Sequence, residues 1–170
     1  MKTHFLLLAV ILLAICCVIG CEKETHGKAS LSAELVSHTG CKNKKTTVTG
    51  SEIPDTLSCV EYNYDVSEKK LKLKHINAGF NCCPGELSCS VNVVGDTMII
   101  GETEEEGSCD CLCLYDLDVE VSGIEAKAFV IKFIEPYWQE KEKLIFNVDL
   151  GSQSSGSYCM VRKQYPWIEF

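Results

Sequence analysis

Along most of the chain, apolar and polar residues alternate with a period of two rather than 3.6. Val60, Tyr62, Tyr64 and Val66 are separated by Glu61, Asn63 and Asp65, and Leu71 and Leu73 lie between Lys70, Lys72 and Lys74. Leu87, Cys89, Val91 and Val93 alternate with Ser88, Ser90 and Asn92. Successive side chains of a strand point to opposite faces, so this pattern predicts strands with one face buried. Residues 126–134 are apolar at nearly every position and predict a central strand, and Leu144, Phe146, Val148 and Leu150 predict another one-sided strand. Turn signals punctuate these runs at Asn77-Ala78-Gly79, Pro84-Gly85, Gly101, Gly107, Ser122-Gly123 and residues 151–156. Val94-Gly95-Asp96-Thr97 predicts a tight hairpin, because glycine enters the positive-φ region without a steric cost. Only residues 138–143 suggest a turn or two of helix. The expected fold is all-β: an immunoglobulin-like β-sandwich spanning residues 31–170 as one domain, with a closed β-barrel as the alternative.

The first twenty residues follow a different rule. Lys2 precedes an uncharged apolar run from Phe5 to Ile19, the build of a secretory signal and too short for a comfortable membrane span. Val18-Ile19-Gly20-Cys21 resembles the lipobox of bacterial lipoproteins. That resemblance implies cleavage before Cys21, a lipid on its thiol, and a flexible tether over residues 21–30. Acyl chains then provide the membrane contact, at about 0.8 kcal/mol for each buried methylene. Composition sharpens the picture of partners. With 24 acidic residues against 16 lysines and arginines the formal net charge is −8, which argues against a nucleic acid, whose binders carry a basic face.

Twelve cysteines in 170 residues are the unusual feature. Cys16 and Cys17 fall in the signal and Cys21 in the lipobox. The remainder are Cys41, Cys59, Cys82, Cys83, Cys89, Cys109, Cys111, Cys113 and Cys159. An exported chain meets oxidising conditions, so these nine are expected to form a disulfide framework with one thiol left over. Read as one regular strand, Cys109, Cys111 and Cys113 share a face with Tyr115 and Leu117. Same-face neighbours lie about 6.6 Å apart, too far to bridge one another. Their partners are expected mainly in the segment containing Cys82, Cys83 and Cys89. The vicinal pair Cys82-Cys83 points two ways and should bridge to two places. Cys41, Cys59 and Cys159 share what is left, and spacing alone leaves the individual pairs open.

The competing chemistry is a thiolate metal site for copper or zinc, built from His75 with some of Cys82, Cys83, Cys89, Cys109, Cys111 and Cys113. Against it, the C-x-x-C spacing typical of structural zinc is absent. His75 shares parity with Leu71 and Leu73, which predicts a hydrogen-bonded core histidine. No G-x-S-x-G is present, and a hydrolase would need His38 or His75 beside a serine or cysteine in an open cleft. No catalytic residue and no cofactor are therefore assigned. Thr103-Glu104-Glu105-Glu106 reads as a solvated hairpin tip, and Asp116, Asp118 and Glu120 as a water-facing row.

Taken together, the lipobox, Asn81-Cys82-Cys83-Pro84 and Cys109-Asp110-Cys111-Leu112-Cys113-Leu114-Tyr115-Asp116 resemble a group of Bacteroidetes-type cysteine-rich lipoproteins without an assigned activity. The resemblance implies a bacterial envelope location, lipid-anchored at the outer membrane on its periplasmic or outer side. With the disulfide framework and no catalytic motif beside it, the expected role is binding or structural support toward an envelope protein or glycan. The resemblance brings no catalytic residue.

Overall fold

The alternating segments form strands in a computed structural model, which describes residues 30–42, 53–137 and 143–162. The signal segment, Cys21, nearly all of the tether and most of the 138–143 segment lie outside the described residues. Nine strands are described: β1 (Ser32–His38), β2 (Leu57–Asp65), β3 (Lys70–Asn81), β4 (Leu87–Val94), β5 (Thr97–Glu104), β6 (Leu112–Ser122), β7 (Ala128–Ile134), β8 (Ile145–Asp149) and β9 (Ser155–Val161). Five of them form one sheet in the order β1-β6-β3-β2-β9, and four form a second in the order β4-β5-β7-β8. Neighbours are antiparallel except β5 and β7, which run parallel. The molecule is thus a disulfide-stapled β-sandwich, the expected immunoglobulin-like architecture with a strand order of its own, and not a closed barrel.

The core lies where the inner faces meet. Val60, Tyr62, Leu71, Leu73, Phe80, Tyr115, Leu117 and Val119 from the larger sheet pack against Met98, Ile100, Phe129, Ile131, Phe133 and Phe146 from the smaller. The β4–β5 hairpin turns at Gly95 with φ +62°, as its sequence predicts. The Asn77-Ala78-Gly79 signal resolves differently. β3 runs straight through it, and Asn77 takes φ +63° at a bulge against β6. The reason is side-chain bonding, which lets asparagine tolerate the left-handed region. Its amide donates to the carbonyls of Pro54 and Leu57, at 3.0 and 2.7 Å, while its backbone N–H donates to Asp116.

Two further expectations need correction. Val66 does not extend the inward row of β2 but sits 62% exposed in the β2–β3 turn. Asp116, Asp118 and Glu120 are not simply solvated: Asp116 pairs with Lys42, Asp118 accepts from Ser37 and Glu120 pairs with Lys70. Their strand lies between β1 and β3, so Ser37 of β1, Lys70 of β3 and Lys42, a few residues past β1, reach them.

The strand directions define two poles. β1 begins beside Ser122, at the pole that also holds the β2–β3 turn. The other pole is reached where β3 ends at Asn81 and β6 begins at Leu112, and six cysteines gather there.

Candidate functional site

The inward rows that build the core turn polar toward the cysteine pole. Leu71 and Leu73 are followed at the same parity by His75, Met98 and Ile100 by Glu102, and Ile131 and Phe133 by Glu135. The row of Val60 is preceded by Ser58, and that of Tyr158 and Met160 ends in Arg162. All five polar side chains are buried, Ser58 and His75 completely.

They form one hydrogen-bonded chain across the sandwich. Ser58 Oγ lies 2.9 Å from His75 Nε2, and His75 Nδ1 lies 2.8 Å from Glu102 Oε1. Arg162 donates to Ser58 Oγ at 3.3 Å and to both oxygens of Glu135 at 2.8 and 2.6 Å. The second oxygen of Glu102, Oε2, has no hydrogen-bond partner among the described residues. Burial alone would push the His75 imidazolium toward neutrality. The Glu102 carboxylate in contact, with Glu135 beyond it, outweighs burial and the opposing Arg162, and holds the His75 pKa above its ordinary value. Glu102 is also raised, by its own burial. Both directions describe one shared proton that the pair keeps to higher pH than an isolated imidazole would.

Serine, imidazole and carboxylate in this order are the elements of a nucleophile, its base and the orienting acid. The structure therefore brings His75 to a serine, as a hydrolase requires, but not in an open cleft: neither Ser58 nor His75 has any exposed surface. His38 lies on the exposed end of β1, its Nδ1 2.8 Å from the Thr39 carbonyl oxygen, with its ring against Tyr115. What the buried chain does in this state is tie β2, β3, β5, β9 and the end of β7 together. Sequence parity could have found all five residues, yet only His75 is singled out by it. The others fall one position beyond the apolar runs that define each strand.

Beyond this polar layer lies the cystine pole. Disulfides join Cys82 to Cys111, Cys83 to Cys109 and Cys41 to Cys113, while Cys59–Cys159 crosses directly between β2 and β9. The vicinal cysteines do bridge to two places, both in the expected partner segment. Cys109, Cys111 and Cys113 do not occupy one regular strand, because β6 begins only at Leu112. Two successive bridges to adjacent residues of the other chain segment require the backbone to turn there. Asn81 organises this turn: its side chain donates to the Cys109 carbonyl at 2.6 Å and accepts from the Cys83 N–H at 2.8 Å. A Cβ at Gly107 would collide with that same asparagine side chain. The acidic segment is only partly a solvated tip. Glu104 belongs to β5, accepts from the Asn81 N–H at 3.0 Å and takes the Tyr137 hydroxyl. Burial and the Glu104 carboxylate push the Tyr137 pKa up to about 12.

The leftover thiol is Cys89, on β4 opposite Glu102. Burial and the Glu102 and Glu34 carboxylates push it up to about 11, so it remains a protonated, weakly nucleophilic thiol at neutral pH. The residues proposed as metal ligands are not assembled as one set. His75 has both ring nitrogens engaged, Cys83 and Cys109 are bonded to each other, and Cys89 is apart on β4. The sulfurs that do converge are those of Cys41, Cys82 and Cys113, all within 4.8 Å of one another. Cys41 is absent from the sequence-derived set because it lies far away along the chain, at the end of β1. Lys42 then bridges to Leu114 and brings it alongside β6.

No family model matches this chain, and no curated protein or solved structure matches it either.

Proposed function

We propose that this chain is an exported module of the bacterial envelope, anchored at the outer membrane through lipid on Cys21. It acts by binding or structural support toward an envelope protein or glycan, without catalysis. The observation that carries this reading is the cystine framework. Of the nine cysteines after Cys21, eight close into four disulfides and one remains, the arrangement an oxidising compartment favours. Such bridges stabilise a domain by about 2–4 kcal/mol each. The occlusion of Ser58 and His75 supports a role other than hydrolysis. The alternative, an envelope protein that binds copper or zinc, draws its support from the meeting point of the Cys41, Cys82 and Cys113 sulfurs.

The test is metabolic labelling with an alkyne fatty acid, followed by fractionation, for the native chain and for Cys21→Ser. Label and membrane association are expected for the first and neither for the second. One free thiol should titrate in the denatured, unreduced protein. Unlabelled native chain, or several free thiols, overturns the reading.

A further inference from the structure

Three sulfurs from three separate chain segments converge at the cysteine pole: Cys41 after β1, Cys82 after β3 and Cys113 on β6. Cys113 is buried and the other two are half-buried, whereas Cys111, the disulfide partner of Cys82, is exposed. All three atoms lie within 4.8 Å of one another. Two of them, Cys41 and Cys113, are bonded to each other. Once that bond is reduced, the three sulfurs need only spread to about 4 Å, the separation of ligands about 2.3 Å from a common ion in trigonal geometry. They belong to two different disulfides, Cys41–Cys113 and Cys82–Cys111.

We propose that these two cystines are the oxidised form of a metal site: when reduced, Cys41, Cys82 and Cys113 hold one Cu(I) ion as a trigonal thiolate centre. Cu(I) is the cation such a site selects, since soft thiolates favour it and it accepts low coordination numbers. Two equivalents of a dithiol reductant transfer four hydrogens to the two cystines. They yield four protein thiols and are themselves closed to two disulfides. Binding then breaks three S–H bonds, forms three Cu–S bonds and releases three protons to water. Cys111 is left as an exposed thiol, placed to pass the ion to, or accept it from, an incoming thiolate. The inference deepens the metal-binding alternative and does not depend on the lipid anchor, so either can fail without the other.

The frame around the site does not depend on these bridges alone. Lys42 N–H donates to the Leu114 carbonyl at 2.8 Å, Cys82 N–H to the Cys111 carbonyl at 3.0 Å, and Tyr115 Oη to the Asn81 carbonyl at 2.9 Å. These bonds hold the three segments in register when the sulfurs are parted.

The experiment uses the chain from residue 21 onward carrying Cys21→Ser and Cys89→Ser. It is reduced with dithiothreitol, desalted anaerobically and titrated with Cu(I) against a chromophoric chelator. One ion per chain is expected to be retained by the reduced protein and none by the oxidised protein, with X-ray absorption showing three sulfur neighbours. Cys113→Ser and Cys41→Ser should each weaken retention at least 100-fold, while Cys83→Ala with Cys109→Ala leaves it within threefold. Circular dichroism follows the sheet throughout. The proposal is overturned if the reduced protein retains no copper or if the Cys83/Cys109 pair proves to be the one required. It also fails if the reduced chain is unfolded both with and without Cu(I).

Discussion

His75 sits between Ser58 and Glu102 with no access to water, so its charge is set by its neighbours. Its pKa is raised above the ordinary 6.5 in the folded state, and the stability it contributes is fully present below that value and lost as pH rises through the folded one. Deprotonation leaves Glu102 as a buried anion whose Oε2 already lacks a partner among the described residues. In a Cys89→Ser background, which removes thiol exchange at alkaline pH, the melting temperature should therefore fall as pH rises above 6.5. In the His75→Gln/Glu102→Gln variant it should stay nearly flat, and a parallel decline in both proteins would remove the pair as the cause. His75→Gln alone should cost about 3–5 kcal/mol by stranding the carboxylate, measured by denaturant unfolding at pH 6. The inward parity of His75 is legible in the sequence. The inward parity of Glu102 is legible too, but not its pairing with His75, since Glu102 comes from the opposite sheet and periodicity within a strand carries no information about what faces it.

Strand positions follow closely from alternation, and the β4–β5 hairpin from its Gly-Asp turn. Where turn chemistry is used for another purpose, as at Asn77, the same signal marks a bulge inside a strand. The cysteine segment shows the converse: covalent pairing overrides alternation at residues 109–111, and β6 starts late. The bridges differ in what they restrain. Cys59–Cys159 spans a sequence separation of 100 and Cys83–Cys109 one of 26. With the other bridges intact, Cys82–Cys111 already closes nearly the same loop as Cys83–Cys109, so loop-closure entropy makes the longer bridge more stabilising by roughly 2 kcal/mol. Replacing each pair by alanines and comparing unfolding midpoints in urea checks this. A larger loss from the Cys83/Cys109 pair would show that local geometry, not chain restriction, dominates.

For the molecule as a whole, period-two patterning and odd-cysteine arithmetic foretell a stapled sandwich with one spare thiol. The parallel β5–β7 pair and the placing of β9 beside β2 are not foretold, because crossovers between sheets leave no periodic trace in sequence. The order of strands also grades stability. β3 and β6 are flanked on both sides within their sheet and their inner faces are buried, whereas β1, β9, β4 and β8 are edges. Hydrogen exchange of the oxidised protein should thus be slowest in β3 and β6 and at least 100-fold faster in β1 and β8. Equal protection throughout would mean that opening occurs only globally.

The direction of β1 has one more effect. It begins beside Ser122, so the length of the sheet separates Ser32 from the pole where Cys82 is joined to Cys111. That pole exposes Cys111, Asp110, Glu105 and Glu106. An anionic solute is therefore disfavoured at the Cys111 sulfur by the three carboxylates exposed on the same pole.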